Sequence, residues 1–241
     1  MTYCVGLLLN QGMVLLSDTR TNAGLDNIAT YRKMFVFEDP GERVIVILTA
    51  GSLSVTQTTL ARLREAIEDP EATDATSVMK APTMLKVAEM VGNTLSAVRR
   101  DIEEKLASMN QGALATMIVA GQRRNGAMRM FLIYPEGNFI EATEDTPFLQ
   151  IGEHKYGKPI LDRVVKPSTS LADAQKAVLL SMDSTLRSNL SVGMPLDLLT
   201  VEKDQCRVAM RRRIEAGDPQ FKAMSEAWST ALRDGFTRIP I

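Results

Sequence analysis

The order in which strand-like and helix-like patterns follow one another along the chain is the strongest constraint on its fold. Apolar residues recur first in short strand-like runs, then at helical spacing, then in strand-like runs again, and finally at helical spacing on either side of a last strand pair. The helical patterns cover residues 54–68, 82–108, 172–186 and 221–232, and the later strand patterns cover 114–122, 127–134, 139–142, 148–151, 198–202 and 207–210. This order predicts an α+β sandwich of four layers, αββα, in which two antiparallel sheets pack face to face between helix pairs.

The hairpin over residues 114–134 carries the strongest short turn signal of the chain, Arg123-Arg124-Asn125-Gly126. The strand patterns at 139–142 and 148–151 follow it closely, so they are expected to continue its sheet. No linker rich in proline, glycine or serine divides the chain, and its 241 residues, 45% of them hydrophobic, suffice for a sizeable core. Residues 2–241 are therefore predicted to form a single domain.

Charge and cysteine content narrow the range of partners and compartments. A formal net charge of -1 gives no overall field that attracts nucleic acid or an anionic membrane. No apolar run approaches the roughly 20 residues that span a bilayer, and the N-terminus lacks the features of a signal peptide. Cys4 and Cys206 lie far apart, which suits a reducing compartment. We therefore expect a cytoplasmic protein that binds neither nucleic acid nor membrane.

Threonine at position 2 is the first candidate for chemistry. It follows the initiator methionine and precedes the apolar run Tyr3-Cys4-Val5-Gly6-Leu7, so removal of Met1 is expected to leave a free N-terminal threonine. A threonine hydroxyl needs a base before it acts as a nucleophile, and an α-amine with a pKa of about 7.7–8.0 can be that base on the same residue. Because small residues are common at position 2, Thr2 carries weight only together with other groups.

Such a nucleophile needs a cation near its hydroxyl, an anion that holds the cation, and backbone donors for the developing oxyanion. Asp18 is the last residue of a strand pattern that is expected to lie beside the N-terminus, and Lys33 lies at the start of another strand pattern. Gly51 follows a buried strand pattern and precedes a helix, where backbone N–H groups are free. Each residue has an ordinary alternative: a turn carboxylate for Asp18, a solvated edge lysine for Lys33, and a close-packed turn for Gly51.

Signatures of other catalytic machinery are scarce. His154 is the only histidine, so a serine or cysteine triad would depend on it alone, and no G-x-S-x-G elbow is present. One histidine and two distant cysteines argue against a zinc site, and no glycine-rich phosphate-binding loop occurs. We therefore predict no metal and no cofactor, and any ATPase partner would have to be a separate protein.

Four parts of the sequence together resemble the proteasome β-type threonine peptidases. Thr2, residues 17–24, Lys33 and Ala50-Gly51 match the signature of that family in order and approximate spacing. Two further parts, residues 2–6 and the stretch Asp26-Asn27-Ile28 with Tyr31-Arg32-Lys33-Met34, are similar to its bacterial Anbu subgroup in particular. The motifs are concentrated in the first fifty residues, while the order of elements agrees along most of the chain.

The resemblance implies a self-compartmentalising threonine peptidase that cleaves peptides or unfolded proteins as a homo-oligomer, either a ring or an open spiral. It implies that Thr2 is the nucleophile, that Asp18 and Lys33 assist it, and that Gly51 provides the oxyanion donor. It also places Thr21 and Tyr31 in the substrate pocket. Arg20 is expected to order its loop by pairing with carboxylates or carbonyls. Replacing Lys33, taken as an exposed or half-exposed lysine, is expected to change stability by less than about 1 kcal/mol.

Two positions depart from the family pattern. Where relatives carry a small serine after a glycine, this chain has Glu153 after Gly152, and where they carry Asp-x-x-Ser it has Ser188 and Ser191. A carboxylate at Glu153 is expected to offset the one absent at Ser188. If it does not, two alternatives remain: a proteasome-like shell or binding assembly with little activity, or a small-amide hydrolase on the same fold.

Overall fold

The computed structural model describes residues 1–22, 28–106 and 112–240. In chain order its elements are β1 Tyr3–Leu9, β2 Gly12–Asp18, β3 Arg20–Asn22, β4 Ile28–Thr30, β5 Met34–Asp39, β6 Arg43–Gly51, α1 Leu53–Glu68, α2 Met84–Leu106, β7 Ala115–Arg123, β8 Arg129–Ile133, β9 Phe139–Glu141, β10 Phe148–Gly152, α3 Lys158–Val164, α4 Leu171–Ser188, β11 Leu196–Glu202, β12 Val208–Ile214 and α5 Pro219–Arg238. Ala23, Gly24, Asp26 and Asn27 of the family resemblance, and the predicted helix end at 107–108, lie outside the described residues.

The described strands form two five-stranded antiparallel sheets, which we call the first and second sheet. The first has the order β10-β1-β2-β11-β12 and the second the order β5-β6-β7-β8-β9, while β3 pairs only with β4. One apolar cluster lies between the two sheets, a second packs the second sheet against α1 and α2, and a third packs the first sheet against α3 and α4. This is the predicted αββα arrangement.

Strand β1 shows why the N-terminal run is continuously apolar. Successive side chains of a strand point to opposite faces. In β1, Tyr3, Val5 and Leu7 pack towards α4, whereas Cys4 is fully buried between the sheets. A strand covered on both faces needs apolar residues at almost every position, and β1 therefore lies in the interior of the sandwich.

Several strand ends meet at one end of the sandwich. Tyr3 of β1 pairs with Gly152 of β10, and Asp18 of β2 pairs with Leu196 of β11. In the second sheet, β5 begins just where β6 is ending, and the Cys4 thiol lies 3.7 Å from the carbonyl oxygen of Thr49 in β6. This contact joins the start of the first sheet to the end of β6.

Two expectations from the sequence are wrong in detail, and one helix was missed. The strand at residues 148–151 does not continue the hairpin sheet; as β10, it pairs with β1 in the first sheet. Leu149 and Ile151 face the inter-sheet core in that position and would also face it from the other sheet, so their alternation does not distinguish the two. The polar segment after Asp18, interpreted as a loop, contains β3, and the helix α3 was not predicted.

Within the described residues, no helix is long and apolar enough to cross a membrane.

Candidate active site

The ammonium group of Lys33 is enclosed by oxygen acceptors. Its Nζ donates to Asp18 Oδ1 at 2.8 Å, to the carbonyl oxygen of Arg20 at 2.6 Å, and to that of Met1 at 3.3 Å. Lys33 is only 4% exposed. The alternative of a solvated edge lysine is therefore wrong, and so is the assumption that the residue is exposed or half-exposed. Lys33 and Asp18 are called the Lys33 centre below.

Asp18 is completely buried and accepts hydrogen bonds on both of its oxygens. Besides Lys33, Oδ1 accepts from the backbone N–H of Tyr3 at 3.1 Å, and Oδ2 accepts from the N–H of Gly193 at 3.2 Å. Burial raises the pKa of Asp18, while the charge of Lys33 and these hydrogen bonds act in the opposite direction. The carboxylate thus holds Lys33, the first residue of β1 and the loop of Gly193 together, which a simple turn carboxylate would not do.

Thr2 lies beside this centre and is held through its backbone. Its carbonyl oxygen accepts from the N–H of Glu153 at 2.7 Å, and the residue is 7% exposed. Gly152 has φ +81°, and a Cβ on it would collide with the Thr2 carbonyl, so only glycine fits there without strain. The Met1 carbonyl that contacts Lys33 belongs to the peptide bond preceding Thr2.

Gly51 occupies the end of β6 with φ +103°. Two places before it, the N–H of Thr49 donates to the carbonyl of Lys33 at 2.9 Å, while the N–H of Ser52 donates to Leu114 on the opposite side at 2.8 Å. Because successive strand residues direct their N–H groups to opposite sides, the Gly51 N–H is directed to the Lys33 side, beyond the first residue of β5. This orientation suits an oxyanion donor, and that role stays a prediction.

Arg20 contributes to the centre in two ways. Its carbonyl oxygen accepts from Lys33, and its guanidinium donates to the carbonyl of Leu190 at 2.9 Å. A Cβ on Gly193 would collide with the same guanidinium, so Arg20 packs directly against the loop that provides a donor to Asp18. Thr21 is half-buried and donates to the Ala29 carbonyl, joining β3 to β4.

The remaining predicted residues contact the centre less closely. Tyr31 is 41% exposed, two positions before Lys33. Glu153 is half-buried, and its carboxylate has no hydrogen bond or ion pair among the described residues. Ser188 is exposed at the end of α4, and Ser191 is half-buried with its N–H donating to Asn189 Oδ1 at 2.9 Å. The structure therefore brings Glu153 to Thr2 through its backbone only.

The sequence did not indicate two of the donors to Asp18. Gly193 lies two positions after Ser191, and a glycine in such a loop is typical of an ordinary turn. The N–H of Tyr3 is a backbone group that no residue pattern distinguishes. Within the described parts of the chain, no group of three or more His, Cys, Asp or Glu residues is placed to hold a metal ion.

The chain is similar to known proteins over nearly its whole length. The family model of the proteasome subunit matches residues 2–201. An Anbu mutant from Hyphomicrobium sp. strain MC1 is 47% identical, covering 100% of this chain and 99% of that chain, with a TM-score of 0.92. Anbu from Yersinia bercovieri is 41% identical over 99% of this chain and 98% of that one, with a TM-score of 0.90.

A helical assembly of the Anbu complex from Pseudomonas aeruginosa is also similar. Its chain is 43% identical to this one, with 99% of this chain and 97% of that chain covered and a TM-score of 0.92. Among curated proteins, no sequence matches this chain significantly. The structural similarity therefore extends beyond the motifs of the first fifty residues to nearly the whole chain.

Proposed function

Because the chain belongs to the proteasome family, as a homologue of the Anbu type, we propose that it is a threonine peptidase that hydrolyses peptide amide bonds. The observation that carries the proposal is the position of Lys33. A nearly inaccessible ammonium group lies 2.8 Å from a fully buried carboxylate and 3.3 Å from the carbonyl of the peptide bond preceding Thr2. Burying such a charge lowers the stability of the fold, so its position next to the proposed nucleophile indicates a role in the chemistry.

The proposed mechanism uses Thr2 as both nucleophile and base. Its hydroxyl oxygen attacks the substrate carbonyl while its own α-amine, directly or through a water, accepts the hydroxyl proton. The amide C–N bond then breaks, the leaving amine takes up a proton, and an ester on Thr2 remains. Water hydrolyses that ester and restores the free hydroxyl. Lys33 lowers the pKa of the attacking group, and the Gly51 N–H stabilises the oxyanion.

Removal of Met1 is a requirement of this mechanism, since an acylated amine cannot accept the proton. Met1 is 61% exposed, which leaves it accessible to an aminopeptidase. Its carbonyl occupies one donor of the Lys33 ammonium group. Once Met1 is gone, that donor is free to turn towards the Thr2 hydroxyl or a water beside it.

The protein is further proposed to enclose this site by self-assembly in the cytoplasm. The similar Pseudomonas aeruginosa chain forms a helical assembly, which supports a homo-oligomer, as a ring or an open spiral, of the present chain. Such a compartment would admit peptides and unfolded proteins.

A second candidate function is a shell of the same architecture with little peptidase activity. It is favoured by one observation: Ser188 stands where relatives carry an aspartate, and it is exposed, with no side-chain hydrogen bond to any residue that the structure describes. In that case the amine of Thr2 lacks part of its support.

Intact mass spectrometry tests the proposed function. The purified chain is expected to begin at Thr2 and to gain one adduct of a mechanism-based, threonine-directed inhibitor, and a Thr2→Ala variant is expected to gain none. A correctly processed chain that takes no adduct would favour the shell. A chain that keeps Met1 and still reacts would contradict the amine as base. Size-exclusion chromatography separates the assembled forms from a small-amide hydrolase acting as a free subunit.

A further inference from the structure

Tyr3, the residue that follows Thr2, belongs to a buried polar cluster. The ring of Tyr3 is fully buried in the apolar layer between the first sheet and α4. Its hydroxyl nevertheless lies 2.6 Å from Ser181 Oγ on α4 and accepts from Gln150 Nε2 on β10, also at 2.6 Å. These three residues, the Tyr3–Ser181–Gln150 cluster, join α4 and β10 to the start of β1.

The hydroxyl of Tyr3 stays protonated and makes both hydrogen bonds of the cluster. Burial raises the pKa of Tyr3 to about 12, so the phenol keeps its proton at neutral pH. The phenol oxygen accepts from the amide of Gln150, and it shares a second hydrogen bond with the hydroxyl of Ser181, in which either oxygen can be the donor. Gly157 closes the cluster, because a Cβ there would lie 2.8 Å from the Tyr3 hydroxyl and would collide with Ser181 Oγ.

Packing alone does not require the hydroxyl. Phenylalanine would fill nearly the same volume, and a phenol in an apolar layer must find partners or lose free energy. The hydroxyl instead fixes the orientation of the Tyr3 ring, because it is hydrogen-bonded to α4 and to β10 at the same time. The same residue donates its N–H to Asp18 Oδ1, the oxygen that also accepts from Lys33.

The Thr2–Tyr3 peptide group is thus held at both ends. The carbonyl of Thr2 accepts from Glu153 N–H at 2.7 Å, and the N–H of Tyr3 donates to Asp18. Any shift of the Tyr3 ring would tilt this peptide group and move the Thr2 hydroxyl relative to Lys33. We propose that the hydroxyl of Tyr3 is a positioning group, which fixes the Thr2–Tyr3 peptide group and thereby keeps the nucleophile aligned with Lys33. This inference rests on the proposed function.

The test uses Tyr3→Phe in the full, processed chain and the kinetics of adduct formation with a threonine-directed inhibitor. The limiting rate of inactivation is expected to fall about tenfold to a hundredfold, because small misplacements of a reacting group have effects of that order. The concentration of inhibitor that gives half the limiting rate should stay the same. The matched control is Thr59→Val, which removes another fully buried hydroxyl, on α1, whose partner is the Val55 carbonyl. It should lower the melting temperature without changing the rate.

Ser181→Ala is the second variant, since it keeps the tyrosine and removes only the hydroxyl that shares a hydrogen bond with it. It should slow inactivation in the same direction, and the double variant Tyr3→Phe/Ser181→Ala should be little slower than Tyr3→Phe, because both changes break one hydrogen bond. If Tyr3→Phe does not fold, the rate of Ser181→Ala alone decides. Unchanged rates in a parent-like background would overturn the positioning role and leave the proposed function intact. A parent chain that never reacts would overturn both.

Discussion

The Lys33 centre and the segments that support Thr2 from the other side differ in how their charges are held. Around Lys33 and Asp18 the side chains themselves are bonded, and neither is more than 5% exposed. At Glu153 and Ser188, in contrast, only the backbone of Glu153 contacts Thr2, and the side chains face solvent partly or fully. Lys33 and Asp18, which match the family, lie in the enclosed region, and the two residues that depart from it, Glu153 and Ser188, lie in the open one.

This difference predicts two kinds of response to substitution. In an enclosed region a charge cannot be removed without leaving its partner buried and uncompensated, so stability and chemistry change together. In the open region water replaces a lost contact, so a substitution there should alter reactivity while the fold stays nearly the same.

The largest effect is expected for Lys33→Ala. This substitution leaves the carboxylate of Asp18 buried without its cation, which typically costs about 3–5 kcal/mol, well above the 1 kcal/mol expected for an exposed lysine. Adduct formation at Thr2 should also be lost. Urea denaturation at neutral pH measures the stability. Lys158→Ala is the matched control, since its pair with Asp162 is about half exposed and should contribute about 0–1 kcal/mol. A Lys33→Ala variant as stable as Lys158→Ala would contradict the enclosed character of the centre.

The pH dependence of the same pair sharpens the comparison. Burial raises the pKa of Asp18 above its ordinary value of 3.8. A raised pKa means that the contribution of the group to stability is fully present below 3.8 and is lost as pH rises through the folded-state pKa. Without the charge of Lys33, the folded-state pKa of Asp18 rises further, so the loss of stability extends over a wider range of pH. The stability gap between parent and Lys33→Ala should therefore widen as pH rises above the folded-state pKa of Asp18 in the parent, and a gap that is constant with pH would contradict this.

The sequence predicted that Asp18 holds Lys33, but it did not predict the burial of either residue. Lys33 follows Tyr31 and Arg32, a polar stretch typical of the residues just before a strand. It is enclosed by the carbonyl groups of Met1 and Arg20, and Asp18 is enclosed with the help of the N–H of Gly193. These are long-range backbone contacts, which local patterns do not encode. The same holds for β10, whose alternation fits either sheet.

An intermediate effect is expected for Gly152→Ala. The alanine would have to adopt φ +81°, and its Cβ would collide with the carbonyl of Thr2 and displace the nucleophile. Strain of this kind costs about 1–3 kcal/mol, and the rate of adduct formation should fall strongly. Gly41→Ala is the matched control, because Gly41 has φ +85° but open space around its Cβ position. It should share the backbone strain and keep the parent rate. Equal rates in the two variants would show that the contact with Thr2 has no effect on the nucleophile.

The smallest effect is expected for Glu153→Gln, in the open region. We predict that the Glu153 carboxylate raises the pKa of the Thr2 amine, since an opposite charge nearby favours the ammonium form. Its removal should shift the acidic limb of the pH–rate profile to lower pH, and only slightly, because solvent screens a half-buried charge. Stability should stay close to that of the parent.

Adding Ser188→Asp to Glu153→Gln should move the profile part of the way back, because it returns a carboxylate to the position where relatives carry one. Glu202→Gln is the control, since Glu202 is exposed and pairs with Gly12 at the opposite end of β2 from Asp18. It should leave the profile unchanged. If Glu153→Gln matches that control in both pH dependence and rate, the carboxylate of Glu153 does not act on the amine, and the open region supports Thr2 through its backbone alone.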